Sequence, residues 1–220
     1  MDETLGAQVL AHLRAQLITG MLAPGDKLSL RTLALQLGVS VQPVRYAVAR
    51  LAAEHALVVT PKRSFQVPLM SLPQFRELTA IRQAIEGFAV EHAARRRGGP
   101  EFATLSRHEA TFRRQSESGS PDVDAAIVAN ANLHFAVYRA AGMPALIAII
   151  EGLWLRIGPV LNFDLRAGEN RFASGVAARC HTAMVAAIER GDARAARAAL
   201  REDIGNTAAF IEARGVLPHE

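Results

Sequence analysis

Between Leu72 and Ala213 the chain is punctuated by Gly98-Gly99-Pro100, Gly119-Ser120-Pro121, Gly142-Met143-Pro144, Gly168 and Gly191-Asp192. Glycine and proline in such pairs stop helices and start turns, and between them the apolar residues recur at helical spacing. The pattern predicts helices near 72–97, 101–118, 122–141, 144–166, 170–190 and 192–213. Half of the 220 residues are apolar, only 5% are aromatic, and alanine and leucine dominate, which favours helix over sheet. A chain of this kind folds most economically as a bundle of about six helices, placed here in residues 72–215. The protein is expected to be mainly α.

Residues 1–68 have a different grammar. Leu5, Val9, Leu13 and Leu17 recur every fourth residue, with Thr4 able to cap the helix they define. Pro24-Gly25 is a turn. Ser29 can cap a second helix, Leu30 to Leu37, which Gly38 ends in the left-handed position that suits glycine. Ser40 can cap a third, with Pro43 in the first turn, where a missing N–H costs little. Val44, Val48 and Leu51 form its buried stripe. Two β-prone runs come next, LVVTP (57–61) and FQVP (65–68), with Lys62-Arg63-Ser64 at the tip of the hairpin between them. Three helices and a hairpin make a winged helix-turn-helix. Pro68 to Pro73 is the expected hinge, with Ser71 capping the first helix of the bundle.

The formal charge is +4. Residues 1–68 hold seven Lys/Arg against four Asp/Glu, and the remainder eighteen against seventeen, so the smaller part carries most of the excess. In a helix-turn-helix the second helix of the motif enters the major groove, where arginine pairs bidentately with guanine. Arg45 and Gln42 fall in the first turns after Ser40, and Arg31 begins the preceding helix. Lys62 and Arg63 occupy the wing tip. Arg50 flanks the set. Each taken alone is equally an ordinary surface residue; as a set they point to double-stranded DNA.

The run GMLAPGDKLSLRTLALQLGVSVQPVRYAVARL (20–51) resembles the N-terminal domain of GntR-family transcription regulators. The family pattern is approximately G-x-L-x-P-G-x-x-L-x-x-x-x-L-A-x-x-L-G-V-S-R-x-P-V-R-x-A-L-x-x-L. The resemblance implies that Arg31 and Arg45 stand at DNA-contacting positions. Three departures are visible: Val41 where a basic residue is usual, Glu54-His55-Ala56-Leu57 where the family has Glu-Gly-Leu, and Ser64 in place of the wing glycine.

In the helical part, Asn130 and His134 share one helix face at i, i+4 spacing, His181 lies on a later helix, and Asp203 is 22 residues beyond it. Imidazole nitrogens with carboxylate and amide oxygens suit a divalent ion, although an isolated helix histidine is more often a packed or surface residue. This part resembles the all-helical FCD-type effector domain of the FadR-like subfamily. Its Arg-x-x-x-Glu is matched by Arg82 and Glu86, its Asp/Asn-x-x-x-His by Asn130 and His134, and the first histidine of its later pair by His181. Asp203 stands where the second histidine is usual. The resemblance implies a metal set of Asn130, His134, His181 and Asp203 for Zn, Ni or Mn. The competing reading is a metal-free polar pocket, or one in which Asp203 pairs with an arginine. Arg82 is a candidate receptor for an effector's carboxylate, or alternatively the partner of Glu86 on its own helix.

Together these readings describe a ligand-responsive transcription regulator: a homodimer that places two winged heads on an operator and binds a small organic acid in the bundle. The alternatives are a metal-dependent hydrolase on the bundle and an effector-free architectural DNA binder. For the hydrolase there is no HExxH, Gly-rich phosphate loop or GxSxG, and the protein is expected not to be an enzyme. The single cysteine, Cys180, is expected to be a small packed side chain and fits a reducing compartment. No segment reaches the roughly 18 apolar residues of a membrane span, and MDETLGAQ lacks a signal-peptide pattern. The expected location is the cytoplasm, with no membrane partner.

Overall fold

A computed structural model of the chain describes residues 4–60, 64–118, 122–166 and 174–219. The backbone separates into two compact units, one formed by the residues up to Met70 with Trp154–Phe163, the other by Ser71–Leu153 with the residues from Asp164 onward. The segment 154–163 thus joins the N-terminal unit, although its sequence position lies inside the helical region.

In the first unit α1 (Leu5–Ile18) is capped by Thr4, whose hydroxyl accepts from Ala7 N at 3.3 Å. A short β1 (Lys27–Leu28) precedes α2 (Leu30–Leu37), which Ser29 caps by accepting from Thr32 N. Gly38 ends α2 at φ 65°. α3 (Val41–Ala53) starts after Ser40, but the serine side chain makes no capping hydrogen bond, contrary to expectation. Strands β2 (Val58–Val59) and β3 (Phe65–Gln66) form the hairpin. β1 pairs antiparallel with β3 as well, giving the order β1-β3-β2, with Lys27 and Val58 both opposite Gln66. This third strand is invisible to periodicity, because two residues carry no readable period. Where the family's glycine stop is missing, His55 takes φ 58°, a left-handed conformation that costs a side-chain-bearing residue about 1–2 kcal/mol.

Val9, Leu13 and Leu17 of α1 pack with Val44, Val48 and Leu51 of α3, Leu57, Val67 and Leu155 in one buried cluster. Leu155 belongs to α7 (Pro144–Arg166). One turn on, Gly158 meets the end of α1 at backbone distance: a Cβ there would lie 2.6 Å from Leu17 O and 2.7 Å from Ile18 O. Asn162 donates from Nδ2 to Ile18 O at 3.3 Å. Backbone carbonyls yield less readily than side-chain ends, so Gly158→Ala is expected to cost about 1–3 kcal/mol, read as a lowered urea midpoint at unchanged m-value.

The second unit opens with a capping box. Ser71 Oγ accepts from Gln74 N at 3.5 Å and Ser71 N donates to Gln74 Oε1 at 3.0 Å, with Pro73 in the first turn. α4 (Leu72–Arg96) is followed by a 3-10 turn, Phe102–Thr104, and α5 (Leu105–Ser116). α6 (Val123–Ala140) is capped by Asp122, and α9 (Ala193–Ala213) by Asp192. α8 (Val176–Arg190) ends at Gly191, φ 76°. The part of the expected 170–190 helix before residue 174 lies outside the described residues. α9 packs along both α4 and α8, while α6 packs on α4 and α5. Leu72 N donates to Pro218 O at 2.7 Å, so the first and last turns of this unit meet.

Contrary to expectation, one segment does reach spanning length: within α7, Pro144–Asn162 has a mean hydropathy of 1.6 and is long and apolar enough to cross a membrane by length and composition alone, with half of it buried inside the protein. Glu151 and Arg156 interrupt the apolar run but are too few to lower the mean. Cys180 is buried and free, and burial, with the nearby Asp203 carboxylate, pushes its thiol up to about 11, so it stays protonated and unreactive at neutral pH.

Candidate functional site: a buried His-His-Asp cluster beside a cleft

Three helices of the second unit bring His134 (α6), His181 (α8) and Asp203 (α9) to one point. The two Nε2 atoms are 3.2 Å apart. Asp203 Oδ2 lies 3.4 Å from His134 Nε2, and Oδ1 lies 3.5 Å from His181 Nε2. All three residues are buried. Asn130 sits one turn before His134 on α6 and is partly buried.

A tetrahedral ion held at about 2.0–2.1 Å separates its ligand atoms by roughly 3.3 Å. The three separations in the cluster match that edge length, and the donor types suit a borderline divalent ion. The residues therefore fit a metal without rearrangement of the backbone.

A chain of hydrogen bonds leads away from the cluster. His134 Nδ1 lies 3.0 Å from Tyr138 Oη, and Tyr138 Oη donates to Glu86 Oε2 at 2.5 Å. Arg82 Nε donates to Glu86 Oε1 at 2.7 Å and Nη2 to Oε2 at 3.3 Å. Tyr138 has one proton and gives it to Glu86, so its oxygen accepts from His134 Nδ1–H. Neutral His134 then turns an unprotonated Nε2 toward His181 and Asp203, which is the form that ligates metal.

Burial and charge pairing set the electrostatics of the cluster. Burial lowers the affinity of His134 for a second proton, and this outweighs the pull of Asp203. Burial alone would raise the Asp203 carboxyl, but His181 above all holds it well below the usual carboxylate range. Burial pushes the Tyr138 phenol well up, and Glu86 adds to this, so the phenol keeps the proton it donates. For Arg82 burial works against the charge and Glu86 more than restores it.

Of the candidates named from sequence, His134, His181 and Asp203 converge, with Asn130 one turn away. Arg82 forms its pair with Glu86, the second of its two sequence readings, and both side chains are buried. Tyr138, which none of the readings from sequence names, joins the cluster through His134. Its signal is spacing: Asn130, His134 and Tyr138 recur at i, i+4, i+8 on one helix face.

Asp203 also lines a cleft of about 270 Å³ with Ser174, Val176, Ala177, Asn206, Thr207 and Phe210. Hydroxyl and amide groups there face an aromatic ring and two small apolar side chains.

In the first unit Arg31 on α2 and Gln42 and Arg45 on α3 are exposed. Arg50, the flanking charge, lies 3.8 Å from Glu54, which also binds Arg14 at 2.5 Å. Tyr46, exposed beside Arg45, rests on Gly6, where a Cβ would lie 3.0 Å from its ring. Lys62 and Arg63 lie outside the described residues.

A winged helix-turn-helix with exposed basic residues on α2 and α3, joined in one chain to a helical domain with a polar pocket, defines a DNA-binding transcription regulator. Residues 5–67 match the family described as bacterial regulatory proteins, gntR family, and residues 77–206 match the FCD domain. The chain belongs to the gntR family of regulators, in its FCD-bearing branch. It is 36% identical over 160 residues to the HTH-type transcriptional regulator McbR of Escherichia coli K12, 73% of this chain and 72% of that one. It is 29% identical over 210 residues to a probable D-xylose utilization operon transcriptional repressor of Paenarthrobacter nicotinovorans, 96% of this chain and 88% of that one. The solved structure of E. coli McbR/YncC superposes with a TM-score of 0.89 at 31% identity, covering 97% of this chain and all of that one. A putative GntR regulator from Rhodococcus sp. RHA1 shares the fold, with a TM-score of 0.73 at 18% identity, covering 94% of this chain and 97% of that one. These families and relatives are transcription regulators, not enzymes.

Proposed function

We propose that this regulator is a cytoplasmic homodimer whose helical domain holds a divalent metal, Zn, Ni or Mn, and binds a small organic acid beside it. The observation that carries this reading is the convergence of His134, His181 and Asp203 at the edge of a cleft. Asn130 supplies a fourth donor from the turn before His134. A bound ion would give a ligand's carboxylate an electropositive centre to bind, and Asn206 and Thr207 would hydrogen-bond its polar groups while Phe210 packs on its carbon skeleton. Arg82 is committed to Glu86 and acts from behind the cluster. An architectural binder without effector would have an apolar core at this place, and the buried polar cluster speaks against it.

The winged heads of the dimer read two half-sites, with Arg45 and Gln42 at base edges, Arg31 at phosphate or base, and Lys62 and Arg63 contacting the DNA backbone or minor groove. Ligand binding changes DNA affinity through a coupling energy of about 1–3 kcal/mol. The test begins with selection of bound genomic fragments, then DNA titration of metal-stripped and metal-loaded protein with a panel of carboxylic acids. A ligand that shifts DNA affinity only in the loaded form supports the reading; loaded and stripped protein that respond alike to every acid count against it. On a selected operator, Arg45→Ala is expected to cost about 1–3 kcal/mol and to relax preference at one base position, measured by titrating single-base operator variants.

A further inference from the structure

We propose that Tyr138 is a positioning residue that fixes His134 in its metal-ready tautomer, and that the Arg82–Glu86 pair exists to hold Tyr138. This rests on the metal reading above but concerns residues that reading does not use. Neutral imidazole has two tautomers, and only one of them leaves Nε2 free on the side of His181 and Asp203. On the opposite ring nitrogen, 3.0 Å from Tyr138 Oη, the choice depends on whether Tyr138 accepts or donates; Asp203 Oδ2, 3.4 Å from Nε2, pulls toward the other tautomer, and the chain through Tyr138 is what outweighs it.

Tyr138 is fully buried, so no water competes for its hydroxyl. Its proton goes to Glu86 Oε2, and Glu86 is clamped through both oxygens by Arg82. Arg82 and Glu86 stand four apart on α4, while Tyr138 and His134 stand four apart on α6. Two helices in contact therefore contribute one pair each to a single directional chain. Were Tyr138 to donate to His134 instead, the imidazole proton would sit on Nε2, in the metal position. Outer partners of this kind typically alter metal affinity by about 10–100-fold when removed.

The test uses full-length protein. In the metal-free wild type, imidazole nitrogen shifts should report His134 as the Nδ1–H tautomer. Tyr138→Phe keeps the ring and the Arg82–Glu86 pair and removes only the hydroxyl. It should abolish the tautomer preference, lower affinity for Zn²⁺ by about 10–100-fold in chelator competition, and alter the visible spectrum of the Co²⁺-loaded protein. A wild-type His134 found as Nε2–H overturns the proposal without any variant. So does a Tyr138→Phe protein with an unchanged tautomer and unchanged affinity. Wild type that binds no metal, with a His134 tautomer that still depends on Tyr138, sinks the metal reading and leaves the hold of Tyr138 on His134 established. If the variant fails to fold, the wild-type spectrum alone decides.

Discussion

Arg82→Ala is expected to destabilise the helical domain by about 3–5 kcal/mol, the usual cost of leaving one partner of a buried ion pair behind. Arg82 is 4% exposed and Glu86 is 0% exposed, so the orphaned carboxylate cannot turn to water. Denaturant unfolding monitored by far-UV circular dichroism would show a lower midpoint for the variant. The double substitution Arg82→Met with Glu86→Leu should recover most of the loss, because two apolar side chains replace a desolvated pair at little net cost. It would not recover the acceptor for Tyr138. A double variant that is stable yet binds metal weakly would separate the pair's contribution to folding from its contribution to the site. If Arg82→Ala is as stable as the wild type, the pair is not buried as described.

The second large effect is on the metal. On the proposed metal reading, His181→Ala removes a ligand atom and should lower Zn²⁺ affinity by more than the roughly 100-fold typical of outer partners, measured by competition with a chromophoric chelator. Acid should do the same to the intact protein, since the ligands bind in their deprotonated forms. The metal-free protein should also lose stability in acid. The fold lowers the proton affinity of His134, so below about pH 6.5 the unfolded chain takes up a proton that the folded chain refuses, and stability falls. Asp203 is held low in the folded state, so its contribution is present above about pH 3.9 and is lost as the pH falls through its folded value. Both effects act in the same direction. Unfolding midpoints that are flat from pH 7.5 to 5 would contradict the burial of His134.

The winged head is legible in sequence because its signals are local. Thr4, Ser29 and Gly38 do in the structure what their chemistry suggests, and the Ser71–Pro73 start of α4 carries its capping box in plain sequence. β1 is not legible, because pairing of Lys27 and Leu28 with β3 is decided by the turn at Gly25 and by Gln66, whose Nε2 donates to Gly25 O at 2.8 Å. In the bundle the helices announce themselves through glycine and proline, and the resemblance supplies the histidines and Asp203. Spacing cannot choose between the two readings of Arg82, since i, i+4 geometry permits the Glu86 pair and an outward carboxylate contact alike. Tyr138 escapes notice for a related reason. Its role depends on which face of α6 meets α4, and that is a property of packing, not of either helix alone.

The bond from Leu72 N to Pro218 O has an engineering consequence. Probes attached at residues 72 and 218 would sit side by side and part only when this corner of the helical unit opens, which makes the pair a local reporter of unfolding.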